Sequence, residues 1–270
     1  MPIASLSAAC RVARPETGRA GRSFSRSAGP ARALNAALAL LTCGLAIAAE
    51  DFAQQRRALL DEIEADVRGA SQYLGSDEFD ASVMAAMGRV ERHRFVPEDR
   101  RESAYENRPL PIGYGQTISQ PYIVAIMTDL LDLKPQDRVF ELGTGSGYQA
   151  AVLAELVAEV YTMEIIEPLA TSARRRLADL GYHNVEVRVG DAYFGWPKQA
   201  PFDAIIVTAG ADHIPPPLVA QLVPGGRLIM PVGGRFAVQQ LVLVRKLADG
   251  GIQTRQIMPV MFVPMTGKHD

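Results

Sequence analysis

The chain has 270 residues, with 28 Lys and Arg against 30 Asp and Glu for a formal charge of −2; 48% of it is hydrophobic and 21% charged. That composition belongs to an ordinary globular protein and excludes a collagen, a coiled-coil rod, a disordered tail protein and a disulfide-stapled mini-domain. The two cysteines, Cys10 and Cys43, both lie in the first fifty residues, so a disulfide, a zinc-thiolate site or a Cys nucleophile has no thiol to use beyond them.

The near-neutral total hides an asymmetry. Residues 1–49 carry six arginines (Arg11, Arg14, Arg19, Arg22, Arg26 and Arg32), no lysine and one acid, Glu16, which leaves a balance of −7 on the rest. An acidic body argues against nucleic acid as the partner, because phosphate binding needs a concentrated positive field. Within the leader, the uncharged run 33–49 follows a basic region and ends in small residues (Ala46-Ile47-Ala48). It reads either as an export signal or anchor, or as an unfolded N-terminal extension. Under either reading residues 1–50 are set apart from a single domain spanning 51–270. Residues 51–118 then supply N-terminal helices and a substrate loop, and 119–270 an α/β core.

The body opens with helical text over 52–68, where Leu59, Leu60, Ile63 and Val67 recur at spacings of three and four. A second helix is predicted after Ser76, read as its N-cap, with Phe79, Val83, Met84 and Met87 as its apolar stripe. Residues 95–120 are dense in Pro, Gly and Tyr, and an irregular segment of that length is the first place to look for a site. Within it, residues 109–116 read as a flexible lip around Tyr114. A helix through Val124, Met127, Leu130 and Leu131 follows. Strands are predicted at 138–142, 160–164, 185–189, 203–208, 227–232, 240–245 and 256–263, with helices to about 158, at 169–180 and after the triple proline 215–217. Strands alternating with helices of this length indicate an α/β fold: a doubly wound, mostly parallel seven-stranded sheet with a late antiparallel strand.

The first strand runs straight into Glu141-Leu142-Gly143-Thr144-Gly145-Ser146-Gly147 and a helix. Glycines there let the backbone approach a ligand and open the helix N-terminus toward it. A dinucleotide fingerprint would need glycine where Tyr148 stands, and a phosphate-cradling loop would need a Gly-Lys-Ser/Thr that is absent. The run Glu-x-Gly-x-Gly-x-Gly instead resembles the first motif of methyltransferases that use S-adenosyl-L-methionine (AdoMet), with a Rossmann-like sheet. Glu164 closes the second strand, 21 residues after Gly143, where a carboxylate accepts both hydroxyls of a ribose. Asp191 closes the third strand, placed to bond an adenine amino group or to cap the next turn. The four histidines (His93, His183, His213 and His269) are dispersed, so no metal is expected.

Four stretches carry a more specific likeness: LPIGYGQTISQPYIVAIMTDLL, VFELGTGSGYQAAVLAEL, GDAYFGWPKQAPFDAIIVTAG, and GGRLIMPVG with VMFVPMTGK. Together with RHRFVPED in the helical lead-in they resemble the protein-L-isoaspartate (D-aspartate) O-methyltransferases, over all but the leader. The resemblance implies AdoMet-dependent methylation of the free α-carboxylate of L-isoaspartyl residues in damaged proteins and peptides. It implies Ser119 as the active-site serine, with Thr117, Ile118, Gln120 and Pro121 around the substrate. It also implies a cytoplasmic monomer with no stable membrane association of the body; the signal-like leader alone would instead imply export. Read from the residues, Ser119 also suits the N-cap of the helix that begins near Pro121. It is not a hydrolase nucleophile, whose elbow would need glycine at 117 and 121. One departure stands out: the family usually has Gly-Asp-Gly where this chain has Ala192, and an alanine there is expected to crowd the adenine or restrict φ. A methyltransferase for RNA or a small molecule, or a non-catalytic AdoMet-binding protein, are the rival readings.

Overall fold

Apolar runs long enough to be buried on both faces, separated by amphipathic helices, determine the architecture. A computed structural model describes residues 51–267 except 236, and these fall in one compact unit. The leader and His269 lie outside the described residues. No helix among the described residues is long and apolar enough to cross a membrane.

Three helices come first: α1 over 51–69, α2 (Ser71–Leu74) and α3 (Ala81–Arg89). The cap of α3 is not Ser76. Asp80 accepts from the backbone N–H of Ser82 at 2.7 Å, while the Ser76 hydroxyl donates to the carbonyl of Glu78, so the helix begins four residues later than the serine suggested. The segment read as a flexible lip is a hairpin of β1 (Leu110–Gly113) and β2 (Gln116–Ile118). Its two-residue turn places Tyr114 at φ 54° and Gly115 at φ 71°, the positive-φ pair that matches the twist of a tight hairpin. Next comes α4 (Pro121–Asp129), whose N-cap is Gln120 rather than Ser119 and makes no side-chain cap bond.

The main sheet contains β3 (Arg138–Leu142), β4 (Glu159–Glu164), β5 (Val185–Val189), β6 (Phe202–Val207), β7 (Leu222–Val232), β8 (Gln239–Lys246) and β9 (Ile252–Val260), in the order β5-β4-β3-β6-β7-β8-β9. The first five strands pair in parallel, and β8 alone runs opposite to the rest of the sheet, pairing antiparallel with β7 and β9. Helices α5 (Tyr148–Ala154), α6 (Glu167–Asp179) and α7 (Pro216–Ala220) connect them. Side chains of period two split between two cores. Val139, Val160, Ile206 and Ile229 join helices α1 and α3 to α6 on one face. Phe140, Tyr161, Ile205 and Met230 join Trp196 and Leu218 on the other. This is the expected doubly wound fold.

Two features of the topology position the site. The chain builds outward from β3 to β5 and then returns to lay β6 on the free side of β3, which opens a crevice at the carboxyl ends of these strands. In addition β9 ends at Val260, short of the expected 263. The following residues turn back over β6, where Gly210 N–H donates to Val263 O at 2.9 Å and Met265 N–H to Gly210 O at 2.7 Å.

Candidate active site

A cleft opens at this switch point. It is lined by Thr117, Ile118 and Ser119 from β2 and its end, by Glu141 within β3 and Gly143, Thr144, Gly145 and Ser146 after it, by Glu164 at the end of β4, and by Asp191 and Ala192 after β5. Nearly every residue singled out from the sequence therefore comes to one place. Gln120 faces a neighbouring groove instead; Gly147 and Pro121 line neither cavity. Gly147 is the N-cap of α5 at φ 87°, packed on Leu177, and Pro121 is buried in the first turn of α4.

The glycine turn is held from two sides. The Thr208 hydroxyl at the end of β6 lies within 2.9 Å of Leu142 O and 2.8 Å of Gly143 O, donating between the two carbonyls. A Cβ on Gly143 would stand 2.4 Å from that hydroxyl, at φ 94°, so only glycine fits. From the other side Glu164 accepts the Gly145 N–H at 2.8 Å on one oxygen and the Ile166 N–H at 2.9 Å on the other. Each carboxylate oxygen keeps a second lone pair, so the ribose role is compatible with this brace. Neither the brace nor Thr208 was visible in the sequence.

Glu141 is fully buried. Its Oε2 accepts from the Thr162 hydroxyl at 2.6 Å, Thr162 meets Thr144 at 2.6 Å, and Oε1 has no partner among the described residues. Burial pushes its carboxyl up to about 8, against the lowering effect of Thr162 and with a smaller raising effect from Glu164. The unfolded chain releases that proton near 4.5, so the folded protein binds more protons than the unfolded one between about 4.5 and 8. This stabilisation is complete below that window and is lost as pH rises through about 8. Glu141→Gln should therefore gain stability relative to wild type between pH 5 and pH 8. Thermal melts of the cofactor-free proteins check this; a gap that does not change with pH would contradict it.

Asp191 both lines the cleft and caps the short helical turn at Ala192–Phe194, accepting from Tyr193 N–H at 3.1 Å. Ala192 is not among the positive-φ residues and is buried in the second core, so the expected restriction of φ does not arise. His93 stacks on Phe52 with ring centroids 4.2 Å apart and bonds the Tyr105 hydroxyl at 2.9 Å, a packing role. His213 meets the Tyr193 hydroxyl at 2.9 Å on the exposed rim.

Ser119 stands where the cleft meets a second groove. Thr117, Ser119, Thr208 and Val263 line both cavities, and the groove continues between Ile123, Val238, Met258 and Phe262. A molecule in the cleft and a chain in the groove would meet at these four residues.

Residues 75–270 match the family model described as protein-L-isoaspartate(D-aspartate) O-methyltransferase. The chain belongs to this family. A protein-L-isoaspartate O-methyltransferase 2 from Syntrophobacter fumaroxidans is 59% identical over 233 residues, covering 86% of this chain and 94% of its own. Another, from a Polaromonas species, is 60% identical over 210 residues, which is 78% of this chain and the whole of that relative. Among solved structures, a Plasmodium falciparum protein assigned to the same activity, in complex with S-adenosyl-L-homocysteine, superposes with a TM-score of 0.64 at 26% identity, over 78% of this chain and 98% of its own. The chain is thus an AdoMet-dependent methyltransferase, and its sheet is of the Rossmann-like type that this family shares.

Proposed function

We propose that the chain transfers a methyl group from AdoMet to the free α-carboxylate of L-isoaspartyl residues in proteins and peptides, with the cofactor in the cleft, the peptide in the groove and Ser119 between them. The observation that carries this reading is the shared lining of the two cavities at Thr117, Ser119, Thr208 and Val263.

The residues of the cleft fit the cofactor. Glu141 Oε1 is a buried oxygen left over for a donor of a bound molecule. Glu164 has lone pairs to spare for ribose hydroxyls, and Asp191 and Ala192, which line the same cleft, are left for the adenine. When bound, AdoMet supplies an electrophilic methyl group on a sulfonium. The acceptor carboxylate is already ionised at neutral pH, so the protein has no proton to remove and its task is alignment and exclusion of water. The Ser119 hydroxyl donates to one carboxylate oxygen and so turns the other toward the methyl group. Thr117 holds the peptide where the two cavities meet and Gln120 holds it in the groove, while Ile118 borders the junction from the cleft side. The ester carbonyl gives up methoxide far more readily than an ionised carboxylate gives up oxygen, so the backbone nitrogen of the next residue attacks it, methanol leaves and a succinimide forms, which water opens in part to normal aspartate.

We take the monomer as the catalytic unit. The acidic body supports a peptide rather than a nucleic acid as acceptor. The cytoplasm, where AdoMet is made, is the compartment this reading requires. Methyl transfer to an isoaspartyl peptide beside its normal aspartyl twin tests the proposal: the isoaspartyl peptide alone should become a base-labile ester. Transfer to RNA and not to the peptide would overturn it, as would no transfer at all.

We also propose that residues 51–270 suffice. Leu59, Ile63 and Val67 of α1 are buried in the first core, so the body is needed from about residue 51. A chain lacking residues 2–49 should be soluble and as active as the full chain, measured as kcat/KM on the isoaspartyl peptide. Loss of soluble, active protein would assign the leader to the fold.

A further inference from the structure

Arg92 has no place in either cavity, yet it touches two of the segments that build the site, at Ser119 and at Tyr148, and anchors them to a third at Ala104. Its side chain is completely buried. Nε donates to the carbonyl of Ala104 at 2.8 Å, and Nη2 donates to the carbonyl of Ser119 at 2.8 Å. The guanidinium carbon lies 4.8 Å from the ring centroid of Tyr148. Tyr148 is the first residue of α5, directly after the glycine turn, and lines the cleft. Arg92 therefore ties the substrate segment to the cofactor helix through one rigid planar cation.

The arrangement is a costly way to fill a core. A buried guanidinium needs all its donors satisfied, and here Nη1 has no partner among the described residues. Burial pushes its pKa down to about 10, which still leaves it charged at neutral pH. What the cation provides in return is geometric. Two donors of a fixed fork reach carbonyls at positions 104 and 119, and a ring face holds the fork flat. An apolar side chain of similar size would pack here without fixing the Ser119 carbonyl.

We propose that Arg92 is a positioning residue for methyl transfer, holding the Ser119 carbonyl so that the Ser119 hydroxyl keeps its direction relative to the helix that follows the glycine turn. This rests on the reading of Ser119 given above. Release of that carbonyl frees the peptide plane between residues 119 and 120 to rotate. The glycine turn stays braced by Thr208 and Glu164, so cofactor affinity is insulated from the change.

A double-mutant cycle distinguishes positioning from bulk stability. Arg92→Lys keeps the charge and Arg92→Gln keeps a planar donor; each is made alone and together with Ser119→Ala. Turnover is measured on an isoaspartyl peptide and AdoMet affinity by titration calorimetry. Each Arg92 variant should lower kcat by about 10- to 100-fold, the scale of a small misplacement of a reacting group, with Kd for AdoMet changed by less than about threefold. With alanine already at 119 the same variants should cost less than about threefold in kcat, since the hydroxyl they misdirect is gone. Equal losses in both backgrounds would overturn the proposal, as would Kd for AdoMet moving in step with kcat. Failure of both variants to yield folded protein would assign Arg92 to folding alone and overturn it as well. A wild-type chain that methylates no isoaspartyl peptide would overturn the functional reading and this inference with it, before any variant is made.

Discussion

Ser119→Ala should lower turnover by about one to three orders of magnitude, roughly 1.4–4 kcal/mol of transition-state stabilisation, while leaving AdoMet affinity within a few-fold. The size follows from what the hydroxyl does. In the proposed role it orients an oxygen that is already anionic, so its loss costs one hydrogen bond and some alignment, not a proton transfer or a covalent intermediate. Cofactor affinity is spared because the glycine turn is held by Thr208 and Glu164, neither of which bonds the serine side chain. Ser119→Thr should retain part of the activity if the junction admits a methyl group. Steady-state kinetics with calorimetry checks these outcomes; a fall in AdoMet affinity equal to the fall in kcat would place Ser119 in the cofactor site instead.

The second large effect falls on Glu164. Its alanine variant loses the acceptor for two backbone N–H groups, Gly145 and Ile166, and with it the partner proposed for the ribose. Loss of the ribose contact alone is worth about 2–3 kcal/mol, a rise in the AdoMet dissociation constant on the order of 30- to 150-fold. Loosening of the turn adds to that figure. At saturating AdoMet the KM for the peptide should stay within a few-fold, because the groove is built from other elements. Calorimetric titration with AdoMet decides the point, and an unchanged affinity would remove the ribose assignment.

How much of this was legible in the sequence depends on how local each feature is. The β3–turn–α5 unit was legible throughout, since an apolar strand, three spaced glycines and an alanine-rich helix all declare themselves within a few residues. Glu164 and Asp191 were legible because parallel strands end at the same edge of the sheet. Thr208 was not, because its partner carbonyls lie 65 and 66 residues away and only the pairing of β3 with β6 brings them together. Arg92 sits in charged text, Arg-His-Arg, that reads as surface; its burial is set by carbonyls 12 and 27 residues further on. The hairpin was hidden by its own composition, in which Pro111, Gly113 and Gly115 suppress the strand pattern around a short turn. At the C-terminus the apolar text runs on through Met261 and Phe262, but the chain leaves the sheet after Val260 because Gly210 offers it a better-placed backbone partner at the cleft.

In the proposed reaction the acceptor carboxylate attacks the methyl group directly, with Ser119 only orienting it. The most direct test uses an AdoMet whose methyl group is isotopically chiral, followed through one transfer to an isoaspartyl peptide. A single in-line displacement inverts the methyl group, and inversion is the result expected here. Net retention would require two displacements through a methylated residue of the protein, and would contradict both the direct transfer and the orienting role of Ser119.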